Sequence, residues 1–203
     1  LISKNFSLLN SYQFDKYLHF CIDVSDESSV KKMFAEIRKK YGRLDVIINN
    51  AGIASHNHAL LTSLKELQNV LDTNFVGTFL CCREAVKLMK RNKYGRVINI
   101  SSIHVPLATI GTSIYGATKA SIEQFSRVLA REVFHYGVTV NLLSLSIVKN
   151  VGMAKHISED MAIKILEKTI SKTQLDIKDV SNAIDFFISP KIHLLFILFL
   201  IVV

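Results

Sequence analysis

The stretch Leu44-Asp45-Val46-Ile47-Ile48-Asn49-Asn50-Ala51-Gly52 decides the fold. Its first part, residues 44–49, is apolar without period-two alternation. That reads as a strand buried on both faces, as a parallel sheet with helices on each side requires. Asn49, Asn50, Ala51 and Gly52 then stand at the carboxyl end of the strand, and in open α/β sheets ligands bind in the crevice beyond those ends. Ala51 and Gly52 let a flat ligand approach the backbone, and the Asn side chains can tie neighbouring loops together. Turn chemistry accounts for the segment almost as well, so position alone leaves both readings open.

The same alternation extends outward. Upstream, residues 17–22 are a short apolar-aromatic stretch. Ser25 or Asp26 can cap a helix whose Val30, Met33, Phe34 and Ile37 follow the spacing of one buried face. Lys39, Lys40, Tyr41 and Gly42 close it, with cations at the negative helix end and a glycine able to turn left-handed. Downstream, Ser63 and Glu66 form a capping box ahead of a long periodic stretch through Leu67, Val70, Leu71, Phe75, Phe79, Val86 and Met89. Residues 97–100 read as a strand, 115–134 as a helix with Ile122, Phe125, Val128 and Leu129 on one side, and 138–143 as another strand. Two shorter helices lie near 159–169 and 179–188. Helices between short apolar strands spell βαβ units, hence an α/β fold with a doubly wound parallel sheet, Rossmann-like. About four strands are countable where such a domain has six or more, so the sheet reads as incomplete at both ends. Residues 1–203 form one partial domain, with 191–203 an atypical apolar tail.

Composition narrows the class. The chain has 203 residues, 49% apolar and 21% charged, which suits one globular domain and excludes a disordered tail or a coiled coil. Lys and Arg exceed Asp and Glu by 25 to 17, a net charge of +8, but no basic stripe with interleaved aromatics appears, so no nucleic-acid partner is expected. Cys21, Cys81 and Cys82 lack metal spacing and fit a reducing compartment, the cytoplasm. His56 and His58 form a His-x-His pair with no third ligand spaced nearby, so no metal site is expected. No Gly-x-Ser-x-Gly, Walker-type or Cys-x-x-Cys motif occurs. Residues 1–10 lack the charged start and cleavage site of a signal peptide. Residues 194–203 are all apolar, but a spanning helix needs about 20 such residues. Pro190, Lys191 and His193 interrupt the approach, so membrane contact through this tail is disfavoured.

The chemistry-bearing residues cluster at strand ends. Ser101-Ser102 ends one strand, and Tyr115 and Lys119 lie at i and i+4 near the start of a helix, which puts phenol and ammonium on one face. A tyrosine has an ordinary pKa of about 10, so acid–base work near neutral pH needs help, which a nearby cation and a helix N-terminus give. Ser102 can hold the same substrate oxygen from the other side. The plainer reading is a tyrosine covering a helix end beside a solvated lysine. Asn74, inside the long helix, competes for backbone bonds and can open the helix locally, where a water binds; a surface asparagine is the alternative. Asp23 can accept from an amine or a backbone N–H, or serve helix capping with Ser25 and Asp26.

Taken together, Asp23-Val24, Asn49-Asn50-Ala51-Gly52, Asn74, residues 96–102 (RVINISS) and Tyr115-Gly116-Ala117-Thr118-Lys119 resemble the short-chain dehydrogenase/reductase family, in the single-domain subgroup that includes 3-oxoacyl-[acyl-carrier-protein] reductases. Ser102 precedes Tyr115 by 13 residues, the family's spacing for its catalytic pair. The resemblance implies NAD(P)-dependent oxidation or reduction of a carbonyl/alcohol pair, with 3-oxoacyl thioester reduction in fatty acid biosynthesis among its reactions. It implies that Asp23 and Val24 flank the adenine, that Asn50, Ala51 and Gly52 line the dinucleotide, and that the backbone at Val148 meets the nicotinamide. Tyr115 exchanges a proton with the substrate oxygen, Ser102 orients that oxygen, Lys119 holds the ribose hydroxyls, and Asn74 supports a water chain. The substrate is a small carbonyl or alcohol, carried on acyl carrier protein in the subgroup named. Family members pair helices corresponding to 74–89 and 115–134, and Phe79, Phe125 and Phe134 fit a homo-oligomer here.

The departures count too. The family's Gly-rich turn, where backbone N–H groups meet the pyrophosphate, has no counterpart before Asp23. After Asn141 the family has Pro-Gly where this chain has Leu145-Ser146, and its following Thr position holds Asn150. The usual final strand and Gly-rich close are replaced by residues 192–203, an apolar run that no periodicity commits to a strand. The choice between NADP and NAD stays open. The alternative function is a catalytically inactive truncated homologue that binds or oligomerises, and the 203-residue chain alone is expected to show little dehydrogenase activity. If the fold is as read, the Ser102 and Tyr115 hydroxyls and the Lys119 amine converge on one cleft.

Overall fold

The computed structural model describes residues 18–152, 158–192 and, in backbone only, 199–202. Four parallel strands, β1 (Val46–Asn49), β2 (Gly95–Ser102), β3 (Val138–Leu145) and β4 (Phe199–Val202), pair in the order β1-β2-β3-β4. The helices are α1 (Glu27–Tyr41), α2 (Leu64–Leu71), α3 (Gly77–Asn92), α4 (His104–Leu107), α5 (Ser113–Val133), α6 (Glu159–Leu166) and α7 (Ile177–Ile188). A π-helical turn, Asp72–Val76, joins α2 to α3.

The pleat of β2 explains the layers. Val97 enters a core with Val30 and Phe34 of α1, Leu80 and Met89 of α3, and Leu129 of α5. Ile98 and Ile100 enter a second core with Leu143, Val180 and Phe187, which seats α7. Successive side chains point to opposite faces, so a strand this apolar needs helices on both. The result is a Rossmann-like α/β layer arrangement. Ile103, Ile147, Ala162 and Ile165 form a third cluster that places α6.

Local signals act largely as expected. Asp26 caps α1, accepting from the Ser28 and Ser29 N–H groups at 3.3 and 3.0 Å, while Ser25 bonds Asp23 instead. Gly42 closes that helix at φ 72°. Ser63 accepts from the Glu66 N–H at 3.1 Å, but the Glu66 carboxylate does not complete the capping box; it takes the Ser55 hydroxyl at 2.6 Å. Asn74 lies in the π turn, where a mid-helix asparagine was expected to open the helix.

Two expectations change. The stretch 44–49 is not buried throughout: Ile48 is 42% exposed, because β1 is the outer strand of the described sheet and has β2 as its only neighbour. Within 17–22, residue 17 lies outside the described residues and Phe20 makes only an isolated bridge. The fourth strand comes instead from the apolar tail, with Leu142 opposite Phe199 and Leu145 opposite Val202. Residues 193–198 lie outside the described residues. Among the described residues no helix is long and apolar enough to cross a membrane.

Two glycines share φ 72° but not surroundings. A Cβ at Gly42 meets nothing within 4 Å, whereas one at Gly137 runs into the Lys93 carbonyl oxygen where the chain turns into β3. Gly42→Ala is expected to cost about 1–2 kcal/mol, the left-handed backbone penalty alone. Gly137→Ala should cost clearly more, because backbone must move as well. Urea unfolding of the two variants checks this, and equal midpoints contradict it.

Candidate active site

The carboxyl ends of β2 and β3, the loop after β1 and the start of α5 enclose a cavity of about 320 Å³, which α6 and α7 help to line. Small-molecule sites have volumes of roughly 300–1,000 Å³. Ser102, Tyr115, Lys119, Asn50 and Val148 all line it. Strand and helix geometry do this locally: Ser102 is the last residue of β2, while Tyr115 and Lys119 face it from the first two turns of α5.

Ser102 and Tyr115 line the same cavity, and the Ser102 Oγ accepts from the His104 N–H at 3.3 Å. Tyr115 is 5% exposed, and burial raises its pKa above the usual 10 while the nearby Ser102 hydroxyl pulls the other way. The cation-favoured phenolate read from the i,i+4 spacing is thus not what the fold produces. The Lys119 amine donates to the Ile100 carbonyl at 2.9 Å and lies 5.8 Å from the Tyr115 ring centre. Buried itself, Lys119 is pushed down to about 8, because desolvation penalises the ammonium. At neutral pH the phenol therefore keeps its proton.

Asn74 and Gly52 stand directly behind Lys119. The Asn74 amide accepts from the Ile53 N–H at 2.8 Å and donates to the Ile53 carbonyl and the Thr118 hydroxyl, each at 3.0 Å. Its own carbonyl accepts from the Thr78 hydroxyl at 2.7 Å. A Cβ on Gly52 would come within 3.2 Å of Asn74 Oδ1 and 3.6 Å of Lys119 Nζ, so a bare backbone is what lets the loop lie this close. Ala51 is exposed beside the cavity. Val148 bridges Leu175 through bonds that use the Ile147 carbonyl and the Lys149 N–H, which turns Val148's own N–H and C=O the other way. This bare loop, with a buried amine and an outward-turned peptide group, fits the ribose and carboxamide of a nicotinamide nucleotide.

Asp23 and Val24 do not line the cavity. Asp23 accepts from the Ser25 N–H and hydroxyl at 2.9 and 2.7 Å, and the Val24 side chain is in the core against Gly77. His56 lines the cavity but His58 does not, and among the described residues no group of His, Cys, Asp or Glu is placed to hold a metal ion. Among the polar cavity-wall residues, His104 was not singled out in the sequence, and Ser146 only as a departure from the family's Pro-Gly. Burial, with smaller contributions from His56 and Lys168, pushes the His104 imidazole down to about 4. Its position two residues beyond Ser102, past the strand end, was the available signal. The Ser101 hydroxyl, beside the site, donates to Glu123 at 2.6 Å.

The profile of a family described as Enoyl-(Acyl carrier protein) reductase matches residues 7–195. The 3-oxoacyl-[acyl-carrier-protein] reductase FabG of Staphylococcus epidermidis is 31% identical over 169 residues, 83% of this chain and 69% of that protein. FabG of Buchnera aphidicola subsp. Schizaphis graminum is 31% identical over 183 residues, 90% and 75% of the two chains. FabG of Escherichia coli is 29% identical over 170 residues, 84% and 69%. The structure of ElxO with NADP bound superposes with a TM-score of 0.87 at 26% identity, covering 98% of this chain and 85% of that one.

The buried Lys119 makes stability depend on pH with a definite sign. Below about pH 8 both folded and unfolded chains hold the lysine proton, and the desolvation penalty is present in full. Between about 8 and the usual 10.5 the unfolded chain binds the proton and the folded one does not, so stability rises with pH. Relative to Lys119→Met, which cancels the other titrating groups, the unsubstituted protein should gain up to about 3 kcal/mol across that window. Denaturant melts at pH 7 and pH 10 measure the difference; a constant gap means that the amine is solvated.

Proposed function

The chain belongs to the short-chain dehydrogenase/reductase family, and from that premise we propose that its cavity reduces the ketone of a 3-oxoacyl thioester, or oxidises the corresponding alcohol, with a nicotinamide dinucleotide. The observation that carries this is the pair of hydroxyls, Ser102 and Tyr115, lining one cavity with the buried Lys119. Two hydroxyls lining one cavity suit a single oxygen of a polarised C=O.

When bound, the nicotinamide supplies or accepts the hydride. The chain's residues do the rest. Tyr115, held protonated by burial, gives its proton to the carbonyl oxygen as charge builds there. Ser102 holds the same oxygen, fixing the carbonyl's direction before reaction. Lys119 in its ammonium form offsets the phenolate left on Tyr115 and serves the ribose hydroxyls. Asn50, Ala51, Gly52 and the Val148 peptide group are the residues that would hold the nicotinamide end, and Asp23 with the Val24 backbone the adenine end. Asn74 acts as a positioning residue through Ile53 and Thr118. NADP is the first cofactor to test, since the ElxO structure is a complex with NADP. The relatives' names point to acyl carrier protein as the carrier of the substrate.

Self-association belongs to the same reading. Phe79 of α3 and Val128 of α5 are 38% and 44% exposed, and Phe79 packs edge-on against Phe125 with ring centres 5.8 Å apart. These two helices thus turn a joint apolar surface to solvent, which a second copy can cover.

Little steady-state turnover is expected of the chain without a Gly-rich turn. Single-turnover assays, with protein in excess over NADPH and acetoacetyl-pantetheine as substrate, should still show slow NADPH oxidation that Tyr115→Phe slows by about a further hundredfold. The variant should still bind NADPH, followed by its fluorescence. Oxidation at the same rate in the variant removes the role of Tyr115; none in the unsubstituted protein removes the reductase reading. Sedimentation at micromolar concentration should give a dimer or larger that Phe79→Glu converts toward monomer.

A further inference from the structure

His104 has no task in the reaction described above, yet it occupies the same cavity wall. It is 9% exposed and opens α4 just past Ser102. Its ring stands edge-on to Tyr115, with centres 5.8 Å apart and planes at 77°. Nδ1 is buried with no hydrogen-bond partner, which leaves Nε2 as the ring nitrogen that can serve the cavity. With no acceptor at Nδ1, the proton of a neutral imidazole belongs on Nε2. The surroundings keep the ring neutral: it is desolvated, and the neighbouring titratable groups that act on it, His56 and Lys168, are both basic.

A histidine kept only to fill space would be satisfied at its buried nitrogen or replaced by an apolar side chain without loss. Apolar Ile103, Ile147, Val151 and Ile165 line the same cavity, alongside the hydroxyls of Ser102, Ser146 and Tyr115. A buried donor facing a cavity discriminates strongly between ligands that pair with it and ligands that cannot.

We propose that His104 is a second hydrogen-bonding station of the cavity, donating from Nε2 to the thioester carbonyl oxygen of a 3-oxoacyl thioester while Ser102 and Tyr115 hold the 3-oxo oxygen. The proposal rests on the ketone-reduction reading and says which ketones the site prefers. One methylene separates the two carbonyls of such a substrate, so their oxygens lie near each other. The two stations are neighbours accordingly, since the His104 and Tyr115 rings stand edge-on with centres 5.8 Å apart. A ketone with no second carbonyl leaves His104 unpaired and binds less well.

The test compares two ligands that differ in one group: acetoacetyl-pantetheine, and the S-(3-oxobutyl) thioether of pantetheine, in which a methylene replaces the thioester carbonyl. Equilibrium binding of each is measured by ligand-observed NMR without NADPH, so the result does not depend on turnover. The unsubstituted protein should bind the thioester about tenfold more tightly than the thioether. His104→Phe, which keeps a ring against Tyr115, should abolish that preference, and His104→Gln, which keeps a donor, should retain part of it. Equal affinity for the two ligands in the unsubstituted protein, or no binding of either, overturns the proposal. So does a preference that survives His104→Phe. Adding NADPH to the same samples tests the reductase reading separately: absent ketone reduction with an intact thioester preference defeats that reading and leaves the station standing.

Discussion

The clasp made by Asn74 is the constraint on which the site depends. Fully buried in the π turn between α2 and α3, its amide satisfies both the N–H and the C=O of Ile53 and reaches the Thr118 hydroxyl on α5. One side chain thereby joins the loop after β1 to the helix that carries Tyr115 and Lys119. Without it, the two half-buried backbone groups of Ile53 would lose their partner in the fold. The π turn is the local accommodation that directs the asparagine inward, and a Cβ on Gly52 would press tightly on the clasp.

Beneath the strand ends a ladder of buried polar contacts continues the same logic. Asn49 donates to Asn99 at 2.7 Å across the β1–β2 register, and Asn99 donates to the Ser126 hydroxyl of α5 at 2.7 Å. Asn49 also donates to Cys82, whose thiol burial pushes up to about 12, so this cysteine serves as packing rather than as a nucleophile. Asn49, Asn99 and Ser126 are paired with one another within the layer, and such networks specify one arrangement where apolar packing would tolerate several.

The dryness that these contacts require sets the electrostatics of the cavity. Burial moves Tyr115, Lys119 and His104 each toward the uncharged form: phenol up, amine and imidazole down. A protonated phenol beside a serine hydroxyl is ready to donate, and so is a neutral imidazole. The common cause is desolvation, which belongs to no single residue.

The sequence by itself determined whatever short-range covalent geometry controls. The unalternating run of β1, the periodic faces of α1, α3 and α5, the Asp26 and Gly42 caps and the shared helix face of Tyr115 and Lys119 all follow from residues within a few positions of one another. That Ser102 meets Tyr115 was legible because both sit at element ends that a parallel sheet brings to one edge. The tertiary structure alone decided what depends on distant neighbours. Ile48 is exposed because β1 is the outer strand of the described sheet; Glu66 leaves its capping box because Ser55 lies within reach; residues 199–202 become β4 by pairing with β3. The direction of the Tyr115 pKa and the place of His104 in the cavity wall belong to the same class. Spacing says which groups share a face, but solvent exclusion sums over every element packed around them, and no stretch of sequence contains that sum.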